Sequence, residues 1–294
     1  MALNNSSLHS TAYRLDSLNE PLNVNEIVTC AMGSLLLVSN AVMLIFLIKS
    51  SKMKETHSLL IASLCVADGL AGLALILLSV VPVMILSSQC KAPSIIADAF
   101  LTLTTISAQW HTVSLSIDRL VAVQFALRYH VIMTRYKIIL LLVSSWIIGT
   151  VEGFVSSYMY ACGDNPLEDS MIMIIINTLL VLFINACIYT HLWRVARRQR
   201  RQIAQLQQQQ QQTAVVDKAT VMVIIIVVAF GVLWAPYLIM VLISIVGGGS
   251  EFETTVMMPL FLVAYGNGLI NCVVYVAMNK KICNRNCKIT IYKN

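Results

Sequence analysis

From residue 27 onward, long apolar stretches alternate with short polar segments. Seven stretches approach the roughly 20 residues that cross a bilayer as a helix. They are Ile27–Ile48, Ser58–Leu86, Ile95–Val123, Ile138–Tyr160, Met171–Trp193, Ala219–Val246 and Thr255–Met278. The pattern predicts an all-α membrane protein, a seven-transmembrane helix bundle over residues 27–278. Residues 1–26 form an N-terminal segment and residues 279–294 a short tail. In that tail, Asn279-Lys280-Lys281-Ile282-Cys283 mixes basic and apolar residues. Such a mixture suits a short amphipathic eighth helix on the inner leaflet; a basic stop-transfer flank is the alternative.

The basic residues set the orientation. Lys49, Lys52 and Lys54 follow the first stretch, and Arg119, Arg128, Arg135 and Lys137 separate the third from the fourth. Arg194, Arg197, Arg198, Arg200, Arg201 and Lys218 lie between the fifth and sixth, and five more follow the seventh. Eighteen of the 20 Lys and Arg residues thus fall on one side, with only Arg14 and Lys91 on the other. An excess of Lys and Arg marks cytoplasmic loops. The expectation is a multi-pass plasma-membrane protein with its N-terminus outside and its tail inside.

Composition agrees. Hydrophobic residues make up 58% and charged residues 12%, against about 25% charged in a soluble domain. The net charge of +6 follows from the one-sided loops and suits anionic membrane lipid; it is no sign of nucleic acid. Asn4-Asn5-Ser6-Ser7 holds overlapping glycosylation sequons at Asn4 and Asn5. The first 26 residues are polar, so the first apolar stretch is expected to act as the insertion signal. Cys30, Cys65, Cys187 and Cys272 lie within apolar spans, as packing cysteines do. Cys90 and Cys162 both fall on the oxidising outer side, where a disulfide between them would tie an outer loop to the third span. Cys283 and Cys287 are juxtamembrane palmitoylation candidates, or free cytosolic thiols.

The loops are short. The longest cytoplasmic one contains the run Gln207–Gln212, which has no packed-core role. The basic run from Arg194 reads as a helical extension of the fifth span, and Gly247-Gly248-Gly249 as a flexible outer loop. Neither an internal repeat nor an inverted symmetry is visible, which weighs against a transporter.

Polar residues inside spans are expensive and mark function. Asp118-Arg119-Leu120 sits where the third span meets a basic loop. Arg119 cannot lose its charge, so it needs a partner in every state. Asp68 lies mid-span in the second stretch, with Asn40, Asn267 and Asn271 at similar depth. These four form either a functional polar cluster or a static hydrogen-bonded knot. Phe230, Trp234 and Pro236 share the sixth span, where a proline kink beside large aromatics can act as a lever. Tyr189 and Tyr275 are placed near the cytoplasmic ends of their spans, as alternative partners for Arg119.

Together these residues resemble the rhodopsin-like, class A, G-protein-coupled receptors, over essentially Ile27 to Cys283. The likeness rests on Asn40, Leu64, Asp68, Asp118-Arg119, Trp146, Tyr189, Phe230, Trp234, Pro236, Asn271 and Tyr275 in order and spacing. It implies a receptor that passes an extracellular or membrane-borne ligand signal to a heterotrimeric G protein. Trp234 would be the rotamer switch, Arg119 the residue that meets the G protein, and Asp68 with Asn40, Asn267 and Asn271 a sodium pocket. Several positions depart from the family. Cys272 replaces the proline of the seventh-span motif, which should straighten that helix, and Val181 replaces the fifth-span proline. Ala108 replaces a serine that helps bind sodium, which puts an allosteric sodium ion in doubt; no other cofactor is implied. Ser94 replaces the usual third-span cysteine, so Cys90 would have to substitute. Val216 stands where some relatives carry the acid that locks Arg119, with Asp217 one residue off. A weakened lock implies basal activity.

The loop Ala126–Thr134 is similar to that of melanocortin receptors, and the absent fifth-span proline fits the melanocortin, lysophospholipid, cannabinoid and adenosine cluster. Leu101 stands where amine receptors carry an aspartate, so a biogenic amine is disfavoured. Asp98 matches one melanocortin acid, but Leu78 and Ser94 replace two others. Leu101, Thr102, Thr105, Tyr237, Leu238 and Tyr265 outline a mainly apolar cavity with Asp98 and Glu152 as polar handles. That lining suits a small amphipathic or lipid ligand, with a peptide as the alternative. Metal-ligand spacing, nucleophile motifs and phosphate loops are absent from the sequence, so an enzyme is not expected. A transporter or channel, or a ligand-independent receptor-like modulator, are the competing readings.

Overall fold

The computed structural model describes residues 24–49, 56–88, 92–162, 166–206, 218–247 and 251–278. Among these, seven long helices follow in chain order. They are α1 (Val24–Lys49), α2 (Thr56–Ser88), α3 (Ala92–Gln124), α4 (Arg135–Cys162), α5 (Pro166–Leu206), α6 (Lys218–Gly247) and α7 (Glu251–Met278). Each contains or nearly contains its expected span. Pro93 and Pro166 open α3 and α5, where a fixed φ and a missing N–H cost nothing. The basic extension of α5 is helical as expected, reaching Leu206. Asn4, Asn5, Cys90, Asp217, Cys283, Cys287 and the expected eighth helix lie outside the described residues.

Helix α3 is the hub. It packs against α2, α4, α5 and α6, while α1 lies on α2 and α7, and α6 on α7. The outward faces are apolar: Leu35, Val42, Ile147, Phe154, Phe183 and Val232 are all exposed. Lipid tails solvate such faces, so backbone polar groups must be satisfied within the helices. Six of the seven helices are individually long and apolar enough to cross a membrane. The exception, α3, is too polar by that measure. Its polar side chains, among them Gln109, His111, Ser116 and Asp118, are buried among its neighbours, where they find partners that lipid cannot supply.

Small residues set the helix separations. At Gly149 of α4, an added Cβ would meet the Leu103 carbonyl oxygen of α3 at 2.5 Å and clash with Ser107 Oγ. Close approach of this kind replaces the missing hydrophobic drive between helices in lipid. Packing corrects one cysteine expectation: Cys65 and Cys272 are buried and Cys30 partly so, but Cys187 is exposed on the outer face of α5. Helix α7 runs unbroken through Cys272, consistent with the missing proline there. Pro236 lies inside α6.

Candidate functional site

Asp118 lies near the C-terminal end of α3 and is fully buried. Its Oδ2 accepts from Arg119 Nε at 3.0 Å and from Arg119 Nη2. Tyr129, in the helical turn Tyr129–Ile132, donates its hydroxyl to Asp118 Oδ1 at 2.6 Å. His57 Nδ1, at the start of α2, stands 3.3 Å from Oδ2. Three different elements thus converge on one carboxylate. Tyr129 and His57 were not singled out as partners by the sequence reading. A tyrosine or histidine next to a basic loop carries no periodic signal, and only the fold brings either one to the acid.

Of the two expected alternative partners of Arg119, Tyr189 lies in its neighbourhood. Tyr189 of α5 accepts a hydrogen bond from Ser116 Oγ at 3.2 Å and is near enough to feel the Arg119 charge. Tyr275 of α7 is buried in the inner apolar cluster. In this structure, then, the guanidinium sits on Asp118, with Tyr189 in its neighbourhood.

Midway through the bundle, Asn271 donates its amide to Asp68 Oδ2 at 2.9 Å. Gly268 allows this approach, since a Cβ there would stand 3.1 Å from Asp68 Cγ. Asn40 turns elsewhere: its amide donates to the Leu36 carbonyl at 3.0 Å, and its Oδ1 accepts from Cys272 Sγ at 3.3 Å. Asn267 lines a small cavity beside Asp68 with its Oδ1 unpartnered among the described residues. That cavity measures about 30 Å³ and is also lined by Ala108, Phe230 and Trp234. Asp68 and the aromatic lever therefore share one void.

Above it, Trp234 packs 5.9 Å from Phe230, 6.2 Å from Tyr237 and 6.1 Å from Tyr265 between ring centroids. Trp234 forms the floor of a larger cavity of about 330 Å³ that opens toward the outer end. Asp98, Leu101, Thr102, Thr105, Tyr237 and Tyr265 line it, as the sequence suggested. Leu238 is buried in the neighbouring core and does not line it. Glu152 also stays off the lining. Phe261 and the adjacent Met257 and Met258 line it without having been foreseen. Tyr265 and Thr105 share a hydrogen bond of 2.6 Å, joining α7 to α3.

Two polar networks fix α3 to its neighbours. Gln109 donates to Thr178 Oγ1 at 3.2 Å and accepts from Asn177 Nδ2 at 2.9 Å, while Trp110 Nε1 donates to Asn177 Oδ1 at 3.0 Å. On the other side His111 Nδ1 meets the Ser107 carbonyl at 2.6 Å. A carbonyl only accepts, so Nδ1 carries the proton and Nε2 accepts from Ser63 Oγ, 2.7 Å away. Trp146 Nε1 donates to the same Ser63 oxygen at 3.1 Å. At the outer end Cys162 is exposed with a free thiol; its expected partner Cys90 lies outside the described residues.

Comparison with known proteins gives a consistent picture. The family model described as 7 transmembrane receptor (rhodopsin family) matches residues 39–275. G-protein coupled receptor 12 of Rattus norvegicus is 25% identical over 279 residues, covering 91% of this chain and 81% of the relative. Melanocortin receptor 4 of Danio rerio is 23% identical over 236 residues, covering 77% and 70%. G-protein coupled receptor 6 of Rattus norvegicus is 24% identical over 272 residues, covering 89% and 73%.

Proposed function

The chain belongs to the rhodopsin family of seven-transmembrane receptors and acts as a G-protein-coupled receptor, and on that premise we propose how its own residues carry the signal. In this reading the Asp118–Arg119 pairing is the resting arrangement. The observation that carries this reading is the buried Asp118 carboxylate, which holds Arg119, Tyr129 and His57 together. A switch of this kind is a population shift: a ligand moves it only by binding one state better than the other. An agonist in the outer cavity presses on Trp234, and α6 swings about Pro236, whose ring removes one backbone hydrogen bond. Arg119 then leaves Asp118 for Tyr189 and Tyr275, and a G-protein helix enters the cytoplasmic opening.

The outer cavity lies at the small end of the range for drug-sized ligands. Its lining is apolar with a few hydroxyls, which supports a small amphipathic ligand over a peptide. We place the protein in the plasma membrane with its N-terminus outside, a reading that the one-sided basic loops support for the orientation.

We propose that no sodium ion resides beside Asp68. Ala108 offers a methyl where a hydroxyl donor is needed, and one Asp68 oxygen is already held by Asn271. The remaining void of about 30 Å³ has room for about one water. We therefore assign the pocket a hydrogen-bonding role between α2 and α7.

Nucleotide exchange on a heterotrimeric G protein tests the switch. Arg119→Ala should abolish exchange at unchanged surface expression. Full exchange by that variant would sink the mechanism.

A further inference from the structure

We propose that the ligand of the outer cavity carries an ammonium group that seats on Asp98, with an apolar body reaching inward to the aromatic floor. The proposal rests on the reading of this cavity as the agonist site. Asp98 is the one charged residue on the described lining. Its only protein hydrogen bond among the described residues is a long one, 3.3 Å from Ser156 Oγ to Oδ2. No described cation pairs with it; the ion pairs found there both belong to Asp118. A half-buried carboxylate left this way in an apolar cavity has an unmet demand for a cation or strong donors.

The rest of the lining selects the same sign. Trp234, Tyr237, Phe261 and Tyr265 form a contiguous set of rings, with Phe261 4.7 Å from Tyr265 and 5.6 Å from Tyr237. The faces of such rings carry negative quadrupole and attract cations. The Asp98 carboxylate lines the same cavity as Tyr237 and Tyr265. Carboxylate and rings therefore make one negative field, and nothing on the described lining balances it.

Geometry gives the ligand its length. Asp98 and Thr105 lie on one face of α3, seven residues apart, which is about 10 Å of helix. Thr105 is bonded to Tyr265 at the floor. Thr102, between them, lines the cavity with no hydrogen-bond partner among the described residues and offers a second contact near the head group. A volume of about 330 Å³ lies at the small end of the range for ligand pockets. A carboxylate or phosphate head would face Asp98 without a counter-charge, so fatty acids and anionic lipids fit poorly. Leu101 disfavours an amine at the position amine receptors use; Asp98, one turn outward, offers a carboxylate on the same cavity.

Three probes of one length separate the charge classes: 4-phenylbutylamine, 4-phenylbutanol and 4-phenylbutyrate. Their binding to purified protein in nanodiscs is measured by calorimetry, with melting temperature alongside. The amine should bind at least tenfold tighter than the alcohol, and the acid weakest. Asp98→Asn should remove the amine's advantage, and Asp98→Glu should keep it. Equal or tighter binding of the alcohol or acid overturns the proposal. So does an amine preference that survives Asp98→Asn, or the failure of all three probes to bind. No G protein enters this measurement. If the preference fails while Arg119→Ala still abolishes exchange, only the ligand class falls.

Discussion

Tyr129 donates its hydroxyl to Asp118 Oδ1 at 2.6 Å, eleven residues further along the chain. The turn after α3 is thereby fastened to the same carboxylate that holds Arg119. A hydrogen bond to a buried charge contributes about 1.5–3 kcal/mol. If that energy belongs to the resting state alone, its loss shifts the two-state ratio by about tenfold or more. Tyr129→Phe should therefore raise ligand-independent nucleotide exchange, opposite in sign to Arg119→Ala. His57→Ala should act in the same direction with a smaller effect, because its contact is longer. Exchange per surface receptor is the measurement. Unchanged exchange in Tyr129→Phe would mean that the contact is equally present in both states.

The Gln109 side chain makes a different kind of joint. It answers both Asn177 and Thr178 on α5, on a helix that lacks its usual proline at Val181. Interhelical hydrogen bonds in membranes contribute about 0.6 kcal/mol on average and up to about 1.7. Gln109→Leu loses more than one such bond and leaves Asn177 short of a partner. The expected cost is about 1–3 kcal/mol, seen as a lower melting temperature of the purified receptor. Adding Asn177→Leu should cost less in the Gln109→Leu background than in the wild type, giving a measurable coupling term. Strict additivity of the two would contradict the network.

Much of the bundle was legible because the bilayer imposes a long apolar run on every span and basic residues collect on one side. The nearness of Asp68 and Asn271 was readable too, since antiparallel helices place equal depths together. Other contacts depend on packing detail that leaves no periodic trace. Asn40 was expected at Asp68, yet one helical turn of backbone and the Cys272 thiol take its hydrogen bonds instead. Leu238 sits one residue beyond Tyr237 but its side chain turns into the core. His57 and Tyr129 come from a helix start and a loop, whose positions follow from the folded bundle and not from local pattern.

Gly149 carries a stability prediction. An added methyl would meet the Leu103 carbonyl oxygen at 2.5 Å, and that oxygen belongs to the α3 backbone. A backbone atom cannot rotate away, so α4 must move. Overpacking of this sort costs about 1–3 kcal/mol. Displacing α4 would also strain the Trp146–Ser63–His111 chain, which Trp146 joins three residues before Gly149. Gly149→Ala should lower surface expression and melting temperature together. Gly231→Ala is the control, because its nearest contact is the flexible Leu182 side chain at 3.4 Å. Equal effects of the two substitutions would contradict the close α3–α4 approach.

The Asp68 pocket makes a prediction about salt. With Ala108 on its wall, the pocket lacks a coordinating hydroxyl and should gain nothing from sodium. Exchanging sodium chloride for choline chloride at constant ionic strength should leave the melting temperature of the wild type unchanged. Ala108→Ser adds the missing hydroxyl next to Asp68 and the unpartnered Asn267 oxygen. In that variant sodium should stabilise the resting receptor. A ligand present at ten times its Kd contributes about 1.4 kcal/mol, enough to move the transition by a few degrees. Basal exchange should fall in parallel, because the ion would favour the state in which α2 and α7 are drawn together at Asn271. Sodium-dependent melting in the wild type would show that the pocket finds its donors without a residue-108 hydroxyl, and the hydrogen-bonding role assigned to it would be wrong.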